Sequence, residues 1–203
     1  MIDFFRSIYY WFSTGLVSIL CLIFYPCKVY GRENVPRKGA VILASNHISN
    51  LDPVLIPVVC PRQLRFIAKE SLFKIPILGA LIRCGGGIPV RRGTADRKAL
   101  GEALDELKRG YALLMFPQGT RGGTKAQAGV AFLAATAGVP VIPIYIEGMD
   151  QLLPKGAAFP RRSAVRVVFG KPITISKDIA YDSAAENIMA TIWSLEKTPA
   201  ARS

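Results

Sequence analysis

After Gly31 the chain alternates between short, continuously apolar runs and longer stretches of helical period. "GAVILAS", "LRFIAK", "GGIPVRR", "YALLMFP", "VPVIPIYI" and "AVRVVFG" read as six strands. Between and after them, residues 75–83, 95–109, 126–137 and 183–195 carry helical patterns. Such alternation predicts an α/β fold with helices covering a sheet. The runs are apolar throughout instead of every second residue, as expected of strands buried on both faces, so most of the sheet is predicted to be parallel. Pro89, Pro140 and Pro143 fall inside strand candidates and point to edges, strand starts or bulges. The predicted sheet is therefore mixed, mostly parallel and helix-covered. No Ser/Gly-rich linker divides the 203 residues, and residues 28–203 are expected to form one domain.

Residues 1–27 have a different character. Ile8 to Cys27 is a twenty-residue run without a charge, bounded by Arg6 and Lys28. As a helix it would cover roughly the ~30 Å thickness of a bilayer's hydrocarbon. Tyr9, Tyr10, Trp11 and Tyr25 lie near its ends, where amphipathic rings favour the membrane interface. A membrane-associated helical segment is the expectation. Ser13-Thr14-Gly15 interrupts the run, leaving two readings open: one span, or two short helices within one leaflet. A cleaved signal peptide is disfavoured by a barely basic start and by the lack of a small-x-small site.

The balance of 26 basic against 14 acidic residues, a net charge of +12, favours anionic partners. Nucleic acid is disfavoured, since no RNP-like aromatic stripe, helix-turn-helix signal or zinc finger accompanies the charge. The four cysteines show no CxxC spacing and histidine occurs once, so neither a catalytic metal nor a redox pair is expected. No cofactor is predicted. "GGTK" lacks the remaining spacing of a P-loop, "SLFK" stands without its companion triplets, and there is no GxSxG elbow.

The one histidine stands in "SNHISNLDP", five residues before Asp52. On a regular helix those side chains would point about 140° apart, so His47 is expected before a helix or in its bent first turn. Pro53 suits a first helical turn, which would make Asp52 an N-cap, and Pro57 argues against a regular continuation. Two readings follow. Asp52 caps a helix while His47 decorates a loop; or Asp52 accepts a hydrogen bond from His47 Nδ1 and leaves Nε2 free to remove a proton from a hydroxyl. A second cluster, "FPQGTR", offers Gly119 for close backbone approach, the Thr120 hydroxyl, and the Arg121 guanidinium suited to phosphate oxygens. Arg91 and Arg92 close "GIPVRR", and Lys69 ends "LRFIAK". Taken singly, each of these basic residues reads equally as solvated surface. All three clusters follow predicted strands, and ligands in open α/β sheets gather beyond strand carboxyl ends.

"NHISNLD", "GIPVRR", "FPQGTR" and "VPVIPIYI" occur in the order of the four motif blocks of the glycerolipid acyltransferases. Over about residues 28–175 the chain resembles the bacterial 1-acyl-sn-glycerol-3-phosphate (lysophosphatidate) acyltransferases. The resemblance implies His47 as catalytic base with Asp52 as its partner. It also implies that Arg92, Gly119, Thr120, Arg121 and, less firmly, Lys69 bind the acceptor. Its substrates would be lysophosphatidate and an acyl thioester of coenzyme A or acyl carrier protein, used at a membrane surface facing the cytoplasm. Acylation of another lysophospholipid or glycolipid, or a non-catalytic lipid-binding role, are the rival readings. One departure stands out: Gln118 occupies the position of the family glutamate, with one acceptor kept and the charge lost.

Overall fold

The structure, a computed structural model, describes residues 7–15, 27–91, 96–123, 125–152, 161, 163–176 and 178–198. Among the described residues seven strands form one sheet: β1 (Cys27–Tyr30), β2 (Val41–Ser45), β3 (Leu64–Lys69), β4 (Gly87–Val90), β5 (Ala112–Met115), β6 (Val141–Glu147) and β7 (Val165–Phe169). Their order across the sheet is β1-β7-β6-β2-β5-β3-β4. Every neighbouring pair is parallel except β6 and β7, so the sheet is mixed and mostly parallel. The helices are α1 (7–15), α2 (Asp52–Val59), α3 (Pro76–Cys84), α4 (Arg97–Lys108), α5 (Gly129–Ala137), α6 (Met149–Leu152) and α7 (Tyr181–Ser194).

The continuously apolar strands divide their side chains between two cores. Ile42, Ala44 and Leu113 pack on one face with Ala99, Ala103 and Leu107 of α4, Val130 and Ala134 of α5, and Ala185, Ile188 and Ile192 of α7. Val41, Leu43 and Leu114 face the other way, onto Leu55, Ile56 and Val59 of α2 and Met149 and Leu152 of α6. Each large aliphatic buried in this way contributes about 1.5–3 kcal/mol over leaving it exposed. Alanines on the inward faces of α4, α5 and α7 let these helices sit close to the sheet.

The six strands predicted from sequence are present, and the helices start within three residues of expectation. β1 was not expected. It is four residues long, pairs only with β7 among the described residues, and carries Lys28, so it has no apolar run of its own to announce it. The prolines have separate explanations. Pro89 lies in the edge strand β4 and Pro140 just precedes β6. Pro143, however, lies within the interior strand β6; its carbonyl accepts from Gly170 N–H at 2.8 Å just beyond the β6–β7 pairing. At α2 two expectations are corrected. Leu51, not Asp52, is the N-cap of α2, with Asp52 as its first residue, and the helix continues through Pro57 to Val59. In so short a helix Pro57 removes a single hydrogen bond near the last turn, a loss that burial of Leu55, Ile56 and Val59 outweighs.

Of the uncharged Ile8–Cys27 run, residues 16–26 lie outside the described residues. Among the described residues no helix is long and apolar enough to cross a membrane. Helix α1 docks through Tyr10, which is buried: its hydroxyl donates to the Arg62 carbonyl at 3.4 Å and accepts from Leu64 N–H at 3.2 Å. The Ser13 and Thr14 hydroxyls donate back to the Tyr10 carbonyl at 3.0 and 2.7 Å, so polar residues inside this apolar stretch satisfy themselves on their own helix.

Candidate active site

β2, β5, β3 and β4 are consecutive parallel neighbours, so the segments that leave their carboxyl ends lie along one edge of the sheet. His47 follows β2, "FPQGTR" follows β5, Lys69 ends β3 and Arg91 follows β4. Residues spread from 47 to 121 in the chain are thereby gathered at one rim, as strand carboxyl ends commonly gather them.

Asn46 creates the exit from β2. Its Nδ2 donates to the Ile146 carbonyl at 2.8 Å and its Oδ1 accepts from Ile146 N–H at 2.7 Å. The side-chain amide thus stands in for a backbone partner of β6, which lets the main chain leave the sheet at His47 without stranding buried polar groups. His47 itself is only 6% exposed and its ring stacks on Phe116, with centroids 4.2 Å apart and planes 27° from parallel.

His47 Nδ1 lies 2.8 Å from Asp52 Oδ2. The same oxygen accepts from Ile48 N–H at 2.7 Å and Ser49 N–H at 2.8 Å, so the carboxylate is fixed by the turn that carries the histidine. Asp52 is fully buried at the first position of α2, where the positive end of the helix dipole favours an anion. With an acceptor opposite it, Nδ1 carries the ring proton and Nε2 presents a lone pair. The sequence left a capping aspartate and a paired aspartate as alternatives; the geometry brings the pair together.

The β5 loop is tied to this pair through Gln118, which is buried. Its Oε1 accepts from His47 backbone N–H at 2.7 Å and its Nε2 donates to the Gly123 carbonyl at 2.6 Å. One partner only donates and the other only accepts, which fixes the orientation of the amide. A third link runs from Gly122 N–H to the His47 carbonyl at 3.2 Å. Gly119 has φ 66, a left-handed conformation suited to glycine, and Gln127 N–H donates to the Pro117 carbonyl at 2.7 Å, closing the loop. Thr120 and Arg121 are exposed at its tip, beside Gly122.

Lys69 is exposed at the end of β3, on the same rim. Arg92 lies outside the described residues. Its neighbour Arg91 is exposed, with Nε 3.3 Å from Glu70 Oε2. Asp96 is the N-cap of α4 and accepts from Arg91 N–H at 2.9 Å and Ala99 N–H at 3.2 Å; these backbone hydrogen bonds hold its carboxyl below the ordinary value. Asn46, Phe116 and the bridging role of Gln118 were not found from sequence, since their partners lie far along the chain.

Among the described residues no group of His, Cys, Asp and Glu is arranged to hold a metal ion. Two surface hollows lie at the opposite, amino edge of the sheet. One is lined by Arg65, Gly86, Glu102 and Glu106, the other by Arg32, Val35, Pro36 and Pro61, and neither includes a residue of the His47 cluster.

Fold and cluster together define an α/β protein with a histidine–aspartate pair at the carboxyl edge of its sheet, beside a glycine-containing loop that ends in arginine. A family model described as Acyltransferase matches residues 26–147, more than half of the chain, and the chain belongs to that family. It is 30% identical over 192 residues to the chloroplastic 1-acyl-sn-glycerol-3-phosphate acyltransferase of Brassica napus, an alignment covering 90% of this chain and 56% of that protein. The chain thus spans little more than half the length of that relative. The 1-acyl-sn-glycerol-3-phosphate acyltransferase of Bacillus subtilis is 22% identical over 191 residues, covering 93% of this chain and 94% of that protein. The crystal structure of the 1-acyl-sn-glycerophosphate (LPA) acyltransferase of Thermotoga maritima superposes with a TM-score of 0.78 at 27% identity, covering 100% of this chain and 83% of that one.

Proposed function

We propose that this chain transfers a fatty acyl group from an acyl thioester, of coenzyme A or acyl carrier protein, to the free hydroxyl of 1-acyl-glycerol-3-phosphate, giving phosphatidate. The observation that carries this reading is the buried His47 Nδ1–Asp52 Oδ2 contact of 2.8 Å. It leaves Nε2 as the base, in a family whose relatives named above are all called acyltransferases of this acceptor.

His47 Nε2 takes the proton of the acceptor hydroxyl as that oxygen bonds to the thioester carbonyl carbon. The imidazolium so formed is stabilised by Asp52. The tetrahedral oxyanion then collapses, the carbon–sulfur bond breaks, and the departing thiolate takes the proton from His47, so atoms and charge balance. A thiolate leaves readily, and the chain needs no covalent acyl intermediate. Arg121, Arg92 and Lys69 hold the acceptor's phosphate, with Gly119 and Thr120 shaping its approach, and turn an encounter into a positioned reaction. The reaction runs at a membrane surface on the cytoplasmic side, where acceptor and product keep their acyl chains in lipid. The net charge of +12 supports contact with such an anionic surface.

The test uses the full chain in lipid nanodiscs, given lysophosphatidate, other lysolipid acceptors and a labelled acyl thioester of either kind. Labelled phosphatidate is the expected product, and His47→Ala is expected to lower kcat by ~10²- to 10⁴-fold, the usual worth of a general base. Preference for a different acceptor would replace the substrate but keep the chemistry. Unchanged turnover in His47→Ala would end the proposal.

A further inference from the structure

Helix α3 is built as an interior helix but occupies a surface. Its sequence, PILGALIRC, is apolar at all but one position, yet none of its residues belongs to either core. Gly79 is its one buried residue, lying against the backbone of Phe73, where an added Cβ would strike the Phe73 carbonyl. Ile82 is half-buried beside Gly87, and the other apolar side chains face outward: Ile77 is 78% exposed and Leu81 46%, and Leu78, with Leu72 and Ile75 from the turn before, is also exposed. At 100° per residue, Pro76, Ile77, Leu78, Ala80 and Leu81 span an arc of about 200° on one side of the helix, opposite Gly79 and Ile82. A groove on another protein takes one stripe of a helix, typically positions spaced i, i+3, i+4. An exposed apolar arc about twice the width of such a stripe, on a helix whose other side is packed on protein, suits a helix lying in the plane of a membrane interface.

The charges around it identify the medium. Between residues 69 and 84 the cations are Lys69, Lys74 and Arg83, and the sole acid, Glu70, is paired with Arg91. Lys74 is exposed beside Ile75. Arg83 is turned back toward the helix start, its Nη2 donating to the Phe73 carbonyl at 2.9 Å. Apolar residues rimmed by lysine are the pattern of a segment lying at the boundary of headgroups and acyl chains in an anionic leaflet. Ile8, Trp11 and Phe12 of α1, spaced i, i+3 and i+4, are exposed too.

We infer that the Glu70–Lys74 turn and α3 form a lipid-docking platform of the catalytic domain itself, embedded at the headgroup boundary of an anionic bilayer. The chain passes into it directly from Lys69, at the end of β3, so docking brings the carboxyl rim of the sheet to the membrane surface. A long-chain acceptor then reaches His47 without leaving the lipid. This rests on the proposed acyl transfer only for the choice of acceptor.

The test is co-sedimentation of the full chain with extruded vesicles of phosphatidylcholine, or of an equal mixture with phosphatidylglycerol. Ile77→Gln combined with Leu81→Gln is expected to weaken binding to the mixed vesicles by on the order of tenfold or more, given the apolar area withdrawn from lipid. Lys74→Gln should weaken binding to the mixed vesicles and leave binding to pure phosphatidylcholine unchanged. Transfer to long-chain lysophosphatidate in vesicles should fall in step with binding, while transfer to a short-chain, freely soluble acceptor stays at the wild-type rate. Wild-type vesicle binding by the double variant overturns the inference. So does an equal loss of binding in Trp193→Gln on the distant helix α7. A fall in solution mass by light scattering in the double variant, revealing a second copy as the occupant, overturns it as well. If no chain transfers acyl groups to either acceptor, the proposed activity fails, and the sedimentation result still decides the platform.

Discussion

Asp52 Oδ2 accepts three hydrogen bonds at once, from His47 Nδ1 and from the N–H groups of Ile48 and Ser49. Two substitutions therefore separate its structural from its chemical role. Asp52→Ala strands one buried and one half-buried backbone donor and is expected to lower unfolding free energy by about 2–5 kcal/mol, readable by urea denaturation. Asp52→Asn keeps one oxygen for all three donors but removes the charge that would stabilise the imidazolium of the proposed reaction. It also puts an amide where Oδ1, buried and without a hydrogen-bond partner among the described residues, now sits. Its expected signature is a kcat reduced on the order of 10³-fold with a smaller loss of stability. Gln118 gives the opposite kind of test. A glutamate in the same position would set a carboxylate oxygen against the Gly123 carbonyl across a 2.6 Å gap that now holds a hydrogen bond. Gln118→Glu is expected to cost about 1–3 kcal/mol and to lower turnover, measured by thermal unfolding and initial rates. The departure from the family glutamate is legible in the sequence, whereas the pairing of the lone histidine with Asp52 stood there as one of two alternatives. The reason glutamine fits is not, because both its partners come from a loop geometry that only folding assembles.

Between elements, the amino edge of the sheet is stapled by Arg62. Its guanidinium donates to the carbonyls of Pro36 at 2.8 Å, Gly39 at 2.7 Å and Gly110 at 3.0 Å, joining the turns that enter β2 and β5. Arg62→Leu is expected to destabilise the fold by about 2–3 kcal/mol without touching the rim that carries His47, so its effect appears in the unfolding midpoint and not in kcat. Two cysteines at helix ends should behave differently. Burial at the end of α2 pushes the Cys60 thiol up to about 11, opposed weakly by Arg62, whereas Cys84 at the end of α3 is exposed. At pH 8 about one Cys60 in a thousand is then thiolate, the reactive form. Iodoacetamide followed by peptide mass mapping is expected to label Cys84 quickly and Cys60 only after denaturation. Element type was readable wherever an apolar run had turn residues on either side. β1 escaped because pairing with β7 makes it a strand, and α2 outran Pro57 because packing outweighs one missing hydrogen bond.

Across the molecule, the last strand in sequence, β7, lies between β1 and β6 and joins the first strand to the rest of the sheet. A chain ending after Leu152 would leave the β6 edge open and β1 without its partner among the described residues. It is expected to lose cooperative thermal unfolding and to aggregate, as open apolar edges do. By itself the sequence determined the layered α/β class, six of the seven strands among the described residues, the clusters bearing His47, Lys69 and Arg121, and the excess of positive charge. Periodicity, composition and short spacing encode those properties within a few residues of each other. Strand order, the antiparallel turn of β7, the gathering of three loops at one rim, the Gln118 bridge and the outward face of α3 were decided by tertiary structure alone. Each depends on which distant surfaces meet, and an apolar helix is spelled the same way whether protein or lipid is to cover it.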